Sequence, residues 1–141
     1  MFIFLIFLFF ASSKIILADD VAIRIADEIM NNIRLSQMNS RFTKELVHSF
    51  ASESISVKDC GKTMTTLSRD EIVELFQKKA EKNEKVSVGI VFRAMFMLNE
   101  KEIVWYTIAD ELKTIKMNMY IGRKNEEGVY LLKYRESICF N

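Results

Sequence analysis

Apolar and polar residues alternate along most of the second half of the chain. From Val86 to Leu98 every second residue is apolar, the period at which side chains return to one face of a β-strand. Residues 103–109 are apolar at both parities, as in a strand that is covered on both faces or lies at an interface. Alternation returns at 112–121, and 129–135 forms a last strand. The pattern therefore predicts an antiparallel meander with one apolar face.

The first half has a different period, in which apolar residues recur at three- and four-residue steps. This spacing predicts amphipathic helices, and Asp19 and Asp20 are suitable caps for the first of them. A shorter second helix extends to about Phe50, with His48 off its apolar side. The expected apolar faces are Ala22, Ile25, Ala26, Ile29 and Ile33 on the first helix, and Phe42, Leu46 and Phe50 on the second.

A short strand and a third helix complete this half. Residues 54–59 alternate, and Gly61 can adopt the positive φ that a following turn needs. Ser68 and Glu71 have the spacing of a capping box, with Leu67 and Ile72 as its hydrophobic staple. The expected apolar face of this helix is Ile72, Leu75, Phe76 and Ala80. These helices are the only part of the chain that can cover the apolar face of the meander.

The first 18 residues differ from the rest and are expected to form a signal peptide. The apolar run MFIFLIFLFF is short for a membrane span, and small residues allow cleavage after Ser13 or Ala18. The alternative is an uncleaved anchor, because residues 2–17 are apolar apart from the stretch around Lys14 and the amino terminus lacks basic side chains. Cleavage predicts a secreted, extracellular protein with one domain at 19–141 and no membrane attachment.

Composition limits the function further. Half of the 141 residues are apolar and 28% are charged, which is typical of a globular domain. The net charge is +1, and basic residues are interleaved with acidic ones. Because affinity for nucleic acids rests largely on phosphate neutralisation, the sequence argues against a nucleic-acid partner.

The two cysteines gain meaning from the predicted compartment. In an oxidising space Cys60 and Cys139 are expected to pair, which would tie the last strand to the middle of the chain. The alternative is two unpaired thiols. A metal site is not expected, because two cysteines and a single histidine lack any usual zinc spacing.

The order of elements resembles the nuclear transport factor 2-like fold. Two helices, a short strand, a capped third helix and a large meander match it over about residues 20–139. Cys60-Gly61 and Cys139 stand where small secreted members carry cysteines. The resemblance implies an α+β fold in which N-terminal helices pack on a curved antiparallel sheet shaped as a cone, with a cavity at its wide end. Members of the family include isomerases and dehydratases as well as non-catalytic binding or dimerising domains.

No residue is predicted to be catalytic. Acid–base chemistry in such a cone needs a titrating group in an apolar pocket, and the candidates are Asp110, His48, Tyr106 and Tyr120. Asp110 is read more simply as a turn residue and His48 as a helical surface residue. Neither forms a recognisable acid–base pair, so an enzyme is the less favoured hypothesis and no cofactor is expected.

Two binding hypotheses remain, of which the first is preferred. The protein binds an unidentified protein partner, or a second copy of itself, through the outer face of the sheet, with Val91, Met95 and Met97 in the patch. Alternatively it carries a small apolar ligand in a cavity lined by Phe92, Phe96 and Trp105. These side chains can also be ordinary core packing.

Overall fold

The structure is a computed structural model and describes residues 20–83, 90–99, 101–111 and 114–140. At residues 20, 90–99, 109–111 and 114 it describes the backbone alone. The predicted signal peptide at 1–18 lies outside the described residues and stays a prediction. Within the described part, no helix is both long and apolar enough to cross a membrane.

Among the described residues, three helices and six strands follow one another in the order that the periodicity predicts, with one addition. The bounds are α1 (Asp20–Ser36), α2 (Thr43–Phe50), β1 (Ala51–Asp59), β2 (Thr65–Ser68), α3 (Arg69–Glu81), β3 (Ile90–Asn99), β4 (Glu102–Glu111), β5 (Thr114–Lys124) and β6 (Tyr130–Phe140). The addition is β2, a four-residue strand too short to show alternation.

The strands form one sheet in the order β2-β1-β6-β5-β4-β3. The α+β class is confirmed, but the expectation of a purely antiparallel sheet is wrong at one pair. β1 and β6 are parallel, whereas all the other neighbouring pairs are antiparallel. Between β1 and β6 the chain passes through β2, α3 and the three strands β3 to β5. This long connection allows β6 to pair with the free edge of β1 in the same direction. The sheet is therefore mixed.

One face of the sheet, called here the inner face, packs against the helices. Val47 and Phe50 of α2 and Ile72 and Val73 of α3 are buried in the same cluster as Trp105 of the sheet. From α1 and the strands the cluster takes Ala22, Ala26, Ile29, Ala51, Ile55, Ile103, Tyr120 and Leu132. Burying a side chain such as Phe50 stabilises the fold by about 1.5–3 kcal/mol relative to leaving it exposed. This face is the apolar core of the protein.

Two of the predicted helix faces are rotated by about one residue. On α2 the buried residues are Thr43, Val47 and Phe50, whereas Phe42 is exposed. The Thr43 hydroxyl donates to the Ser36 carbonyl at 2.8 Å, which holds this side of α2 against the end of α1. On α3, Val73 is buried and Leu75 is exposed. The positions of apolar residues in the sequence do not reveal such a rotation, because a polar residue such as Thr43 can also be buried when it has a hydrogen-bond partner.

The start of α3 confirms the predicted capping box. The Ser68 backbone N–H donates to Glu71 Oε2 at 2.7 Å, and the Glu71 N–H donates to Ser68 Oγ at 3.3 Å. Both hydrogen bonds satisfy donors that a helix terminus otherwise leaves without partners. The backbone N–H of Ser68 lowers the pKa of the Glu71 carboxyl most, and the Ser68 hydroxyl, which donates to Glu71 Oε2 at 2.9 Å, lowers it further.

The cysteines lie side by side where β1 and β6 end. The Cα atoms of Cys60 and Cys139 are 5.1 Å apart, a separation that suits a disulfide, and the two are bonded. The Cys60 N–H donates to the Ser137 carbonyl at 2.8 Å. Gly61 has a φ of 75°, so it supplies the positive dihedral angle that the turn was predicted to need. The parallel pairing of β1 with β6 is what brings the two cysteines together.

Candidate functional site

Trp105 lies in the middle of the inner face rather than at its edge. Its side chain is 1% exposed and stacks on Tyr120 with the ring centroids 5.4 Å apart and the planes 11° from parallel. The six-membered part of the indole covers Gly122, where an added Cβ would meet Trp105 Cζ3 at 3.2 Å. Trp105 thus packs against the ring of Tyr120 and over Gly122, where the absence of a side chain leaves room for the indole.

The other residues predicted to line a cavity belong to β3, whose side chains lie outside the described part. The backbone register pairs Phe96 with Val104, one residue before Trp105. Phe92 lies where the β3–β4 register shifts. Because Val104 and Trp105 point to opposite faces of β4, the register position of Phe96 is on the face opposite to Trp105, and the cavity lining by Phe92, Phe96 and Trp105 stays a prediction.

The same register bears on the predicted outer patch. Met95 pairs with Trp105 and Met97 with Ile103, and both partners are buried on the inner face. Residues that pair directly across two strands share a face. The register positions of Met95 and Met97 are therefore those of the inner face, not of the outer patch predicted for them. The alternation at 86–98 favoured the even-numbered residues as the core side, and the register does not follow it.

A row of polar residues crosses the inner face next to the aromatic stack. The register aligns Thr107 of β4 with Asn118 of β5, Asn118 with Ser137 of β6, and Ser137 with Asp59 of β1. These four residues are called the polar row, and the backbone position of Arg93 in β3 continues it. Ser137 and Thr107 are only 1% and 2% exposed, and Ser137 Oγ donates to Asn118 Oδ1 at 2.6 Å.

The register row next to the polar row contains Trp105, Tyr120 and Arg135, and two of these residues carry buried hydrogen-bond donors. The Nε1 atom of Trp105 and the Nε atom of Arg135 are buried, and neither has a hydrogen-bond partner in the described part of the protein. Arg135 Nη2 lies 3.4 Å from Asp59 Oδ1 at the partly open end of the row. Lys116 lies one register row away, paired with Cys139. The inner face is therefore rich in donors at one end and apolar at the other.

The residues considered for acid–base chemistry do not come together. His48 is exposed on α2, while Tyr120 is buried on the inner face. Tyr106 lies at the register position of Met119, on the opposite face of the sheet. Asp110 pairs through its backbone with Ile115, and its side chain lies outside the described part. Among the described residues there is no group of three or more acidic, His or Cys side chains that could hold a metal ion.

The opposite face of the sheet, called here the outer face, exposes apolar side chains at the ends of β5 and β6. Ile115, Ile138 and Phe140 are 51%, 41% and 52% exposed. The register pairs Ile115 with Phe140 and Met117 with Ile138, so the four residues form one block. This block is called the outer patch. It differs from the patch predicted on β3, and alternation at 115–121 was its only signal in the sequence.

Charged groups border the outer patch along β6. Lys58 Nζ lies 3.0 Å from Glu136 Oε1, and the Tyr134 hydroxyl donates to Glu136 Oε2 at 2.8 Å. These contacts with Tyr134 and then Lys58 lower the pKa of the Glu136 carboxyl, and the same hydrogen bond raises the pKa of Tyr134. At the other end of the face Arg123 forms an ion pair with Glu102. Both signs of charge therefore flank the apolar block.

Comparison with known proteins agrees with the fold. No protein-family model and no curated protein matches the chain. Solved structures do match, including a nuclear transport factor 2-like protein of unknown function from Pseudomonas aeruginosa, with 10% identity and a TM-score of 0.60 over 83% of this chain and 99% of that one. A similar protein from Cytophaga hutchinsonii has 7% identity and a TM-score of 0.60 over 86% of this chain and 97% of that one.

A third match has a name that refers to an activity. It is a protein from Shewanella frigidimarina described provisionally as a ketosteroid isomerase, with 8% identity and a TM-score of 0.53 over 84% of this chain and 95% of that one. At such low identities the likeness extends to the fold alone. The chain has the nuclear transport factor 2-like fold, in the α+β class that the order of its elements predicted.

Proposed function

We propose that this protein is a non-enzymatic interaction domain that associates with a second copy of itself through the outer face of its sheet. The observation that carries the proposal is the outer patch, in which Ile115, Ile138 and Phe140 are about half exposed on neighbouring strands. Contiguous apolar side chains on a sheet face are typical of an association surface. Single apolar residues scattered over a surface are common and do not indicate an association surface.

A second copy suits this surface better than an unrelated partner, because the surface is complementary to itself. A two-fold interface brings the same patch from both subunits together. The apolar block can then meet its own copy, while Lys58 and Glu136 supply both signs of charge at its border. The net charge of +1 gives little repulsion between two copies.

The expected affinity is modest. Burying the exposed half of three large side chains on each of two subunits contributes about 1 kcal/mol per side chain, or about 6 kcal/mol in all. Association costs about 4–15 kcal/mol in lost translational and rotational freedom. Met117, Met119 and Ile108, which are partly buried and face the same way, must add to the contact. A micromolar dissociation constant corresponds to a net binding free energy of about −8 kcal/mol, so it requires the interface to extend well beyond the three exposed side chains.

Light scattering during size-exclusion chromatography tests the proposal. Ile138→Lys places a charge in the centre of the outer patch and is expected to give a monomer at concentrations where the wild type is a dimer. Leu75→Lys is the matched control, because Leu75 is 44% exposed on α3, away from the sheet. Equal masses for Ile138→Lys and the wild type would mean that the outer patch is not the interface. A heterologous partner would then remain as the alternative.

The second candidate is a carrier of a small apolar ligand, and the buried Trp105–Tyr120 stack beside the polar row is the observation that favours it. The Shewanella frigidimarina match makes an isomerase or dehydratase compatible with the fold. Catalysis is less favoured because the candidate acid–base residues do not share a site. Native mass spectrometry of the purified protein distinguishes a carrier, which retains a bound molecule, from an empty interaction domain.

We also propose that the protein is secreted. The bonded cysteines at the ends of β1 and β6 support an oxidising compartment, and the apolar segment at 1–18 supports export. Expression of the full chain in a secreting host, followed by amino-terminal sequencing of the protein in the medium, tests this. A mature terminus at Lys14 or Asp19 is expected. Retention of the whole chain in the membrane would favour the anchor instead.

A further inference from the structure

The turn between α1 and α2 exposes large apolar side chains that belong neither to the core nor to the outer patch. Met38 is 57% exposed, Phe42 is 43% exposed and Leu35 is 36% exposed. These three residues and the chain between them, residues 35–42, are called the apolar turn. Single exposed apolar residues are common, but a cluster of them indicates an interaction surface.

Hydrogen bonds hold the apolar turn in this conformation. The Phe42 N–H donates to the Asn39 carbonyl at 3.2 Å, and the Thr43 hydroxyl donates to the Ser36 carbonyl at 2.8 Å. Ser36 and Thr43 are buried, so these polar residues take the positions that face the core where the two helices meet. Their neighbours Leu35 and Phe42 consequently face solvent. The apolar side chains are thus presented on an ordered backbone, which lowers the entropy cost of binding.

Three basic side chains lie within or beside the apolar turn. Arg34, Arg41 and Lys44 are exposed, and none of them forms an ion pair within the described part of the protein. The Arg34 guanidinium donates to a neutral side-chain amide, and that of Arg41 lies 5.4 Å from the ring centroid of Phe42. Glu45 is the one acidic residue in this stretch of the sequence. The surface therefore combines apolar side chains with a local excess of positive charge.

This combination favours a membrane surface that contains anionic lipids as the partner. Apolar side chains can enter the boundary between head groups and acyl chains, while basic side chains bind the lipid phosphates. Long basic side chains suit this boundary because their stems are apolar and their charges reach the water. Residues 38–42 are all exposed, so the turn projects from the protein. A bound acidic peptide would instead need a groove or a sheet edge to receive it.

From this juxtaposition we propose that the apolar turn docks the protein on the surface of a membrane that contains anionic lipids. Met38 and Phe42 enter the head-group boundary, and the three basic side chains contact the phosphates. Such docking is reversible and needs no membrane-spanning segment, so it differs from the anchor considered for residues 2–17. The turn belongs to the helical layer that covers the inner face, whereas the outer patch is on the opposite face of the sheet. Neither proposal therefore depends on the other.

A fluorescent label on the apolar turn tests this proposal. The two cysteines of the chain are bonded to each other, so Met38→Cys supplies one thiol for an environment-sensitive fluorophore. Vesicles of equal parts phosphatidylglycerol and phosphatidylcholine are expected to raise its emission in a saturable way. Vesicles of phosphatidylcholine alone are expected to bind more weakly by about tenfold or more. Leu75→Cys carries the control label, because Leu75 is 44% exposed on α3, and its emission is expected to stay unchanged.

Three results of this experiment would overturn the proposal. The first is unchanged emission from the label at Met38→Cys in millimolar anionic lipid, which would leave an acidic protein as the occupant of the turn. The second is equal affinity for the two kinds of vesicle, since the basic side chains would then have no role. The third is an equal rise in emission at Met38→Cys and Leu75→Cys, since the bilayer would then contact the protein elsewhere.

Two variants of the unlabelled protein separate the apolar and charged contributions, and two others are matched controls. Phe42→Ser and Arg41→Gln are each expected to weaken cosedimentation with the anionic vesicles by about fivefold. Leu75→Ser removes a side chain of similar exposure, and Arg123→Gln removes the same charge from the outer face. Both controls are expected to retain wild-type affinity, and thermal unfolding verifies that each variant is folded. Wild-type affinity in folded Phe42→Ser and Arg41→Gln, or equal weakening in the controls, would also overturn the proposal.

Discussion

Removal of the disulfide is the perturbation whose effect on stability follows most directly from the structure. The bridge between Cys60 and Cys139 closes a loop with a sequence separation of 79 residues. In the chain-entropy model a loop of this length restricts the unfolded state by about 4.5 kcal/mol at 25 °C. Among the described residues, this disulfide is the one covalent cross-link between the N-terminal half of the protein and its last strand.

Part of this stabilisation is offset in the folded state. Cys60 adopts a φ of 46°, and a left-handed conformation costs a residue other than glycine about 1–2 kcal/mol. The turn can relax from this conformation once the bridge is gone. The double variant Cys60→Ser/Cys139→Ser is therefore expected to lose about 2.5–3.5 kcal/mol, a large share of the 5–15 kcal/mol typical of a domain.

Urea unfolding followed by the fluorescence of Trp105 measures this loss. The variant is expected to unfold at lower urea with a steeper dependence on denaturant, because its unfolded state exposes more surface. Its Tm is expected to fall by about 10–15 °C. Wild-type protein unfolded under reducing conditions is the control and should match the variant. A loss below about 1 kcal/mol in both samples would refute the reasoning.

Three further predictions concern single side chains. Gly122→Ala is expected to cost about 1–3 kcal/mol and to change the fluorescence of Trp105, because the new methyl group meets the indole at 3.2 Å. Ser68→Ala removes one hydrogen bond of the capping box and is expected to cost about 1 kcal/mol in urea unfolding. Since the hydrogen bonds from Tyr134 and then Lys58 lower the folded-state pKa of Glu136 below its ordinary value, its contribution is complete above the unfolded pKa and is lost as the pH falls through the folded pKa. The acid unfolding curve of Glu136→Gln should lack this part of the pH dependence.

Each of these predictions has an outcome that contradicts it. An unchanged Tm and emission maximum in Gly122→Ala would mean that Trp105 has room that the structure does not show. Ser68→Thr retains the hydroxyl and should keep most of the stability, so equal losses in Ser68→Thr and Ser68→Ala would argue against the cap. Identical acid unfolding of Glu136→Gln and the wild type would mean that the hydrogen bond from Tyr134 and the ion pair with Lys58 contribute nothing measurable.

Local features of the fold could be predicted from the sequence because they depend on neighbours in the chain. The box at Ser68 and Glu71 needs two residues three positions apart, and the antiparallel meander needs consecutive strands that pair with their neighbours in the chain. Both are correct. The pairing of Cys60 with Cys139 was also anticipated, since a chain with two cysteines in an oxidising compartment has one possible bridge.

Features that depend on distant pairing could not be predicted in the same way. The parallel contact of β1 with β6 joins residues such as Val57 and Arg135 and leaves no periodic trace in either strand. The alternation at 86–98 favours the even-numbered residues of β3 as its core side, but alternation alone does not show which side the helices cover. The register of β3, with Met95 paired to Trp105, decides the matter.

The candidate sites show the same division. Trp105 was singled out by its size, but the polar row was not, because Thr107, Asn118 and Ser137 lie on three strands and become neighbours only through the register. No periodic signal in the sequence marks them, because β5 and β6 carry other polar residues such as Lys116 and Glu136. The outer patch is similar. Ile115 and Phe140 are far apart in the sequence, at the start of β5 and the end of β6, and they become neighbours only when the two strands pair.

The central claim is that the outer face of the sheet joins two copies of this protein, and sedimentation equilibrium of the wild-type protein tests it most directly. The account predicts that the weight-average mass rises from one to two subunits over a micromolar range of concentration, with no larger species. A constant monomer mass up to several hundred micromolar would contradict it.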